Sequence, residues 1–185
     1  MKKKELGRQL IHVLIGIGLI IFLLLFGRTK LIALTFFTLL IGSVLINMKL
    51  IGQKIGMAEW FEEQFEREDA LLPGWGSAWY VAGFLLLATS LTNTEQIMAG
   101  IFILGISDAA STVVGSMYGK HKLFYNKKKS WEGSIAFFIA ALPAWFFIGE
   151  LVIPVAFLAA VFESLPLKID DNVMIPLACI TVFLW

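Results

Sequence analysis

The stretch "QLIHVLIGIGLIIFLLLFG", residues 9–27, decides the class of this protein, because His12 is its single ionisable side chain. As a helix rising 1.5 Å per residue it extends about 28 Å, close to the roughly 30 Å hydrocarbon core of a bilayer. It follows "MKKKELGR" and so has the charge layout of a secretory signal. No small-residue cleavage site comes after it, and it is longer than a signal's apolar core. The expectation is a retained first transmembrane helix.

Working outward, six more apolar segments follow, at 31–48, 77–93, 95–118, 132–149, 151–163 and 173–185. The last two have about 13 residues each, short of the ~20 that span a bilayer without tilt or thinning. Pro143, Pro154 and Pro176 fall inside these segments, where neighbouring helices must satisfy the carbonyls they free. The chain is 58% hydrophobic and 16% charged, with mean hydropathy +0.82, against about 25% charged in ordinary soluble domains. The reading is one all-α, polytopic integral-membrane domain over residues 1–185, with about seven transmembrane helices. The single Cys179 excludes an internal disulfide and reads as a small packed hydrophobe. A net charge of +1 says little, and no nucleic acid is expected as a partner.

The distribution of charge says more. With the N-terminus in the cytoplasm, 13 of the 15 lysines and arginines fall on inner segments, and only Arg28 and Lys30 on outer ones. That is a strong positive-inside bias. The outer turns "GRTK", "TNTE" and "IGE" are short, so nearly all polar sequence faces the cytoplasm. A channel or transporter needs functional openings on both faces, which disfavours that class. The largest polar insert, 49–76, contains "EWFEEQFERED", with Trp60, Phe61 and Phe65 opposite acids, and reads as a helix lying in the interface. "LPGWGSAWY" then re-enters the membrane, and Trp75, Trp79 and Tyr80 suit the headgroup belt.

Four polar clusters carry candidate chemistry. Asp108 lies within the fourth segment, 11 residues before Gly119, about 16 Å deep along a helix. A carboxylate there costs several kcal/mol unless it is paired, protonated or wet. Helical spacing places Thr112, Gly115 and Gly119 on its stripe with Ser111 beside it, and the glycines permit close approach by another helix or by a ligand. In "NKKKSWEGS", residues 126–134, Lys129 and Ser130 lead directly into a helix whose first turn holds Glu132, Gly133 and Ser134. A helix N-terminus with a lysine and a hydroxyl makes a polyphosphate cradle. Lys127 and Lys128 read as positive-inside anchors, and Glu132 as a cation ligand or a cap. "ESLPLKIDDN", residues 163–172, adds Glu163, Asp171 and Asn172 at the same face. Carboxylates with few histidines suit a hard cation such as Mg²⁺ rather than zinc. In "GRQLIH", Arg8 and His12 share one helix face, for a phosphate contact or for snorkelling and burial.

Taken in order, R-x-x-x-H, S-D-A-A-S-x-x-x-G-x-x-x-G-K, K-S-x-E-G-S, and E-S-x-P followed by D-N and a proline resemble the polyprenol kinase family. That family comprises dolichol kinase, phytol kinase and the CTP-dependent diacylglycerol kinase, and is distantly related to the CDP-diacylglycerol synthases. The resemblance runs from Arg8 to Pro176. It implies transfer of the γ-phosphate of CTP to the hydroxyl of a membrane lipid alcohol, with a divalent metal. It also implies Asp108, Lys129 and Glu132 as catalytic residues and Asp108 and Asp171 as metal ligands. Arg8, Gly115, Gly119, Lys120, Lys129, Ser130, Gly133 and Asn172 would contact the nucleotide, with His12 and Glu163 as further candidates. Ser107 stands where the family often has glycine, and Ser130 where dolichol kinases often have threonine. Alternatives are a cytidylyltransferase acting on a lipid phosphate, and a small transporter or scaffold.

Overall fold

The computed structural model describes residues 3–56, 59, 72, 74–167 and 169–185, and these are almost entirely helical. Helix α1 (Lys3–Leu50) is broken at Gly27, whose φ of 77° and ψ of 171° suit glycine alone. The break folds α1 back on itself beside α2 (Trp75–Ser90). At one end of α2, Tyr80 donates to the His12 carbonyl at 2.7 Å, and Gly74 lies against Ile46. At the other end the Arg28 guanidinium donates to the carbonyls of Ala88 and Thr89, at 2.8 and 3.0 Å. Arg28 thus satisfies acceptors that the last turn of α2 would otherwise leave bare.

The third segment is shorter at its end than the 77–93 expected, because Leu91 turns extended (φ −107°, ψ 145°). Asn93 then starts α3 (Thr94–Phe102), its Oδ1 accepting from the amides of Glu95 and Gln96. A π-helical turn, Ile103–Ser107, joins α3 to α4 (Asp108–Tyr118) without a break. The path Thr94–Tyr118 is the central one, 67% buried over its most apolar window against 11% for α1. Gly105 in the π turn meets Gly16 of α1, where an added Cβ would stand 3.3 Å from the opposing Cα.

Helix α5 (Trp131–Ala141) continues through a 3-10 turn at Leu142–Ala144 into the short α6 (Trp145–Ile148). Gly149, at φ 58° and ψ −139°, separates these from α7 (Val152–Ser164), and α8 (Asp171–Leu184) closes the chain. Pro176 lies inside α8 and frees the Asn172 carbonyl four residues earlier. Gly83 of α2 packs against that carbonyl so closely that a Cβ would stand 2.2 Å from it. The core between these helices holds Phe84, Leu87, Leu104, Phe137 and Ile175, all fully buried.

Each of the seven apolar segments is helical over most of its length, and no strand occurs among the described residues. Among the described residues, three helical stretches are long and apolar enough to cross a membrane: Lys4–Leu50, Thr94–Tyr118 and Trp131–Ser164. The interfacial helix expected around 59–69 lies outside the described residues, apart from Glu59. Tyr80 departs from its expected place in the headgroup belt. It is 2% exposed and stacks on the His12 ring at 4.0 Å, because its hydroxyl finds a partner inside the bundle.

Candidate functional site

Four segments far apart in sequence converge at one end of the bundle. Asp108 opens α4, Glu163 stands in the last turn of α7, Asp171 opens α8, and Lys129 immediately precedes the cap of α5. One ligand atom from each of Asp108, Glu163 and Asp171 lies within 4.8 Å of the others. Asp108 and Glu163 are buried, at 6% and 1% exposure. The Lys129 ammonium donates to Glu163 Oε1 and, at 2.7 Å, to Asp171 Oδ2. Ser111 Oγ donates to the same Glu163 oxygen at 3.0 Å. Burial works against a charged Lys129, but Glu163, Asp171 and Asp108 outweigh it and hold the ammonium above its ordinary value.

Local structure sets the place of each of these groups. A π turn lies just before Asp108, an irregularity that is frequent at functional sites. Asp170 caps α8 by accepting from the Asn172 amide at 3.0 Å, which leaves Asp171 in the first turn. Ser130 caps α5 by accepting from the Gly133 amide at 3.2 Å, and its extended backbone (φ −137°, ψ 155°) turns the chain at Lys129 into the helix.

Three carboxyl groups meet one ammonium in the cluster. Glu163 Oε2 is buried with no hydrogen-bond partner among the described residues, and so is Asn172 Oδ1. Buried acceptors without donors are costly, and a hard divalent cation is the group that such an oxygen set fits. Asp108, Glu163 and Asp171 are the residues that would hold it.

The other sequence candidates have different surroundings. The Glu132 carboxylate accepts from the amides of Lys120 and His121, at 3.2 and 3.1 Å, and lies 2.7 Å from His121 Nδ1. It ties the loop after α4 to the start of α5. Gly115, Gly119 and Gly133 form a contact between α4 and α5: a Cβ on Gly133 would lie 3.3 Å from Gly115 Cα, and one on Gly119 would lie 2.6 Å from Ser130 Oγ. Of the two approaches that glycines permit, the structure makes the helix contact. Lys120 is exposed. Arg8 donates to Glu5 of its own helix at 2.6 Å, and His12 packs on Tyr80. Sequence reasoning missed Tyr125, Asn126 and Ser164. Tyr125 OH lies 2.7 Å from Ser164 Oγ, and Asn126 Nδ2 donates to the Ser164 carbonyl at 2.9 Å. The one hint in the sequence is that Asn126 begins the polar stretch and Ser164 follows Glu163.

These features define a helical protein with apolar stretches long enough to cross a membrane and a buried carboxylate–lysine cluster at one end. No family model and no solved structure matches the chain. It is similar to probable phytol kinase 1, chloroplastic, of Oryza sativa subsp. japonica, at 30% identity over 203 residues, covering 95% of this chain and 62% of that protein. Phytol kinase 1, chloroplastic, of Arabidopsis thaliana is 28% identical over 202 residues, covering 96% and 65%. An uncharacterized protein of Methanocaldococcus jannaschii is 29% identical over 182 residues, covering 94% and 89%. The chain therefore spans less than two thirds of the length of these two plant relatives. These similarities, at about 30% identity over nearly the whole chain, support assignment to the polyprenol and phytol kinase family.

Proposed function

We propose that this protein is a lipid-alcohol kinase, which transfers the γ-phosphate of CTP to the hydroxyl of a membrane lipid such as phytol, a dolichol-like prenol or diacylglycerol. The reaction yields the lipid phosphate, CDP and the hydroxyl proton. The observation that carries the reading is the meeting of Asp108, Glu163 and Asp171 with Lys129 at the end of the helix bundle. The names of the plant relatives support a lipid-alcohol acceptor, and the family resemblance supports CTP as donor. The positive-inside charge of the polar segments supports seven crossings, a cytoplasmic N-terminus and a site open to cytoplasmic nucleotide.

In this reading Glu163 and Asp171, with or without Asp108, would hold Mg²⁺, which would supply charge neutralisation on the triphosphate. Lys129 leaves its resting carboxylate partners in part to contact a phosphate oxygen, which places the nucleotide over the cluster. The lipid tail stays in the bilayer, and its hydroxyl meets the nucleotide at the buried end of α4. Asp108, next to the π turn, is either a ligand of the cation or the acceptor of the hydroxyl proton. Positioning and electrostatics supply the rate, as in other phosphoryl transfers.

The test is purified protein given CTP labelled at the γ or the α position, with a panel of lipid alcohols and of lipid phosphates. Label from the γ position on lipid supports the kinase. Label from the α position replaces it with cytidylyl transfer, and no label on any lipid overturns both.

A further inference from the structure

We propose that the loop between α4 and α5 is a small hairpin latched to the end of α7 by Tyr125 and Asn126, and that this latch holds Lys129 in the carboxylate cluster. The hairpin pairs Lys122 with Ser130. The Leu123 amide donates to the Lys129 carbonyl at 3.2 Å, and the Trp131 amide to the His121 carbonyl at 2.9 Å. Its tip closes through the Lys129 amide on the Asn126 carbonyl, at 3.1 Å. Asn126 Oδ1 accepts from the Lys128 amide at 3.1 Å, the local bond that suits asparagine to turns. Leu123 is 1% exposed and anchors one side of the hairpin.

The tip is fastened to α7 by two bonds. Asn126 Nδ2 donates to the Ser164 carbonyl at 2.9 Å, one of the helix-end carbonyls that lacks a donor within the helix. Ser164 Oγ donates to the Val161 carbonyl at 2.7 Å. A hydroxyl has one proton, so in the 2.7 Å contact with Tyr125 the phenol is the donor. Ser164 immediately follows Glu163, whose carboxylate takes the Lys129 ammonium. Two adjacent residues at the end of α7 therefore receive the side chains of the hairpin tip, at Ser164, and the Lys129 side chain that follows it, at Glu163. Lys127 and Lys128, held in the same turn, are exposed. The latch thus accounts for why the third lysine of "KKK" is the one turned inward.

Tyr125 and Asn126 are positioning residues in this scheme. A lysine side chain loses rotamer freedom when it is fixed, and a pinned backbone limits the further freedom that must be lost. The consequence for turnover rests on the proposed kinase reading, but the latch itself does not. The decisive experiment compares the full chain in lipid nanodiscs with Asn126→Ala combined with Tyr125→Phe. Lysines are acylated with a water-soluble amine reagent, and the rate at each position is read by mass spectrometry. Lys129 should be protected in the parent protein, with Lys127 and Lys128 reactive as internal references. In the double variant Lys129 should react about tenfold faster or more, the population shift expected from losing one or two hydrogen bonds. Asn126→Asp keeps the acceptor for the Lys128 amide and loses the donor to Ser164, so it should expose Lys129 as Asn126→Ala does. Protection of Lys129 unchanged in the double variant, or retained in Asn126→Asp, overturns the latch. In the transfer assay the double variant should raise KM for CTP several-fold with a smaller change in kcat. An exposed Lys129 with unchanged KM would keep the latch and remove Lys129 from phosphate binding. Absence of transfer in the parent protein would overturn the kinase reading while the acylation rates still decide the latch.

Discussion

Replacing Lys129 with methionine keeps the side-chain length and removes the cation from the carboxylate cluster. Glu163 is left 1% exposed and Asp171 24% exposed, with Asp108 in the same group and ligand atoms within 4.8 Å of one another. Two unit charges at that separation repel by about 3 kcal/mol at an effective dielectric near 20. The folded variant thus keeps buried carboxyl groups without their cation, and should lose about 3 kcal/mol of stability at neutral pH. The parent protein should hold its stability level between about pH 6 and pH 8, because the raised Lys129 value keeps the ammonium charged across that window and its contribution is lost only above the ordinary lysine range. A deficit of about 3 kcal/mol corresponds to roughly 6–12 °C in Tm for a chain of this length. Thermal unfolding in nanodiscs, with and without Mg²⁺, measures it. Mg²⁺ should raise the variant's Tm more than the parent's, since it substitutes for the lost ammonium. A variant that unfolds within about 2 °C of the parent at neutral pH would refute the electrostatic reasoning. So would a deficit as large in Lys127→Met, whose side chain is exposed.

Asp108→Asn keeps the shape and removes the charge, so the protein should fold while phosphoryl transfer drops by about a hundredfold or more; a loss within about threefold, near 0.7 kcal/mol in barrier, would reduce Asp108 to a structural residue. Gly133→Ala puts a methyl 3.2 Å from the Ser111 carbonyl and 3.3 Å from Gly115 Cα, both backbone, and should destabilise by about 1–3 kcal/mol. Gly18→Ala meets nothing within 4 Å and should be neutral or stabilising by up to about 1 kcal/mol; chemical denaturation compares the two. A cysteine placed at Lys128 should resist a membrane-impermeant thiol reagent applied outside intact cells and react in inverted vesicles, and labelling from outside would overturn the proposed orientation.

Much of the candidate site is legible in the amino-acid sequence. A lone acid within an apolar segment marks itself by its solvation cost, and Asp108 is such an acid. Lys129 and Ser130 are marked because a cation and a hydroxyl precede a helix start, and Ser130 is indeed the cap of α5. Glu163 is a lesser candidate by sequence, yet it is the most buried carboxylate of the cluster and the one that Lys129 and Ser111 both address. Glu132 belongs to the chemistry by its motif, while its carboxylate fastens the Lys120–His121 backbone. Tyr80 reads as a headgroup residue from its neighbours Trp75 and Trp79, and it is inside the bundle. In each case the pattern identifies a polar residue correctly and leaves its partner open.

By itself the sequence determined the helical class, the position of the apolar segments and the residues too polar to be idle within them. Those conclusions depend on local quantities: transfer free energy, helix rise and the chemistry of caps. Tertiary structure alone decided that Lys129 meets Glu163 and Asp171, 34 and 42 residues away, and that Ser164 receives Asn126. Helices such as α5 and α7 are apolar on nearly every face, so they have no polar stripe to declare which neighbour each side will meet. The choice was made by close contacts such as Gly16 on Gly105 and Gly133 on Gly115, and by the breaks at Gly27 and Gly149. Backbones can approach only where a Cβ is absent, and that approach brings the polar ends of four segments to one place.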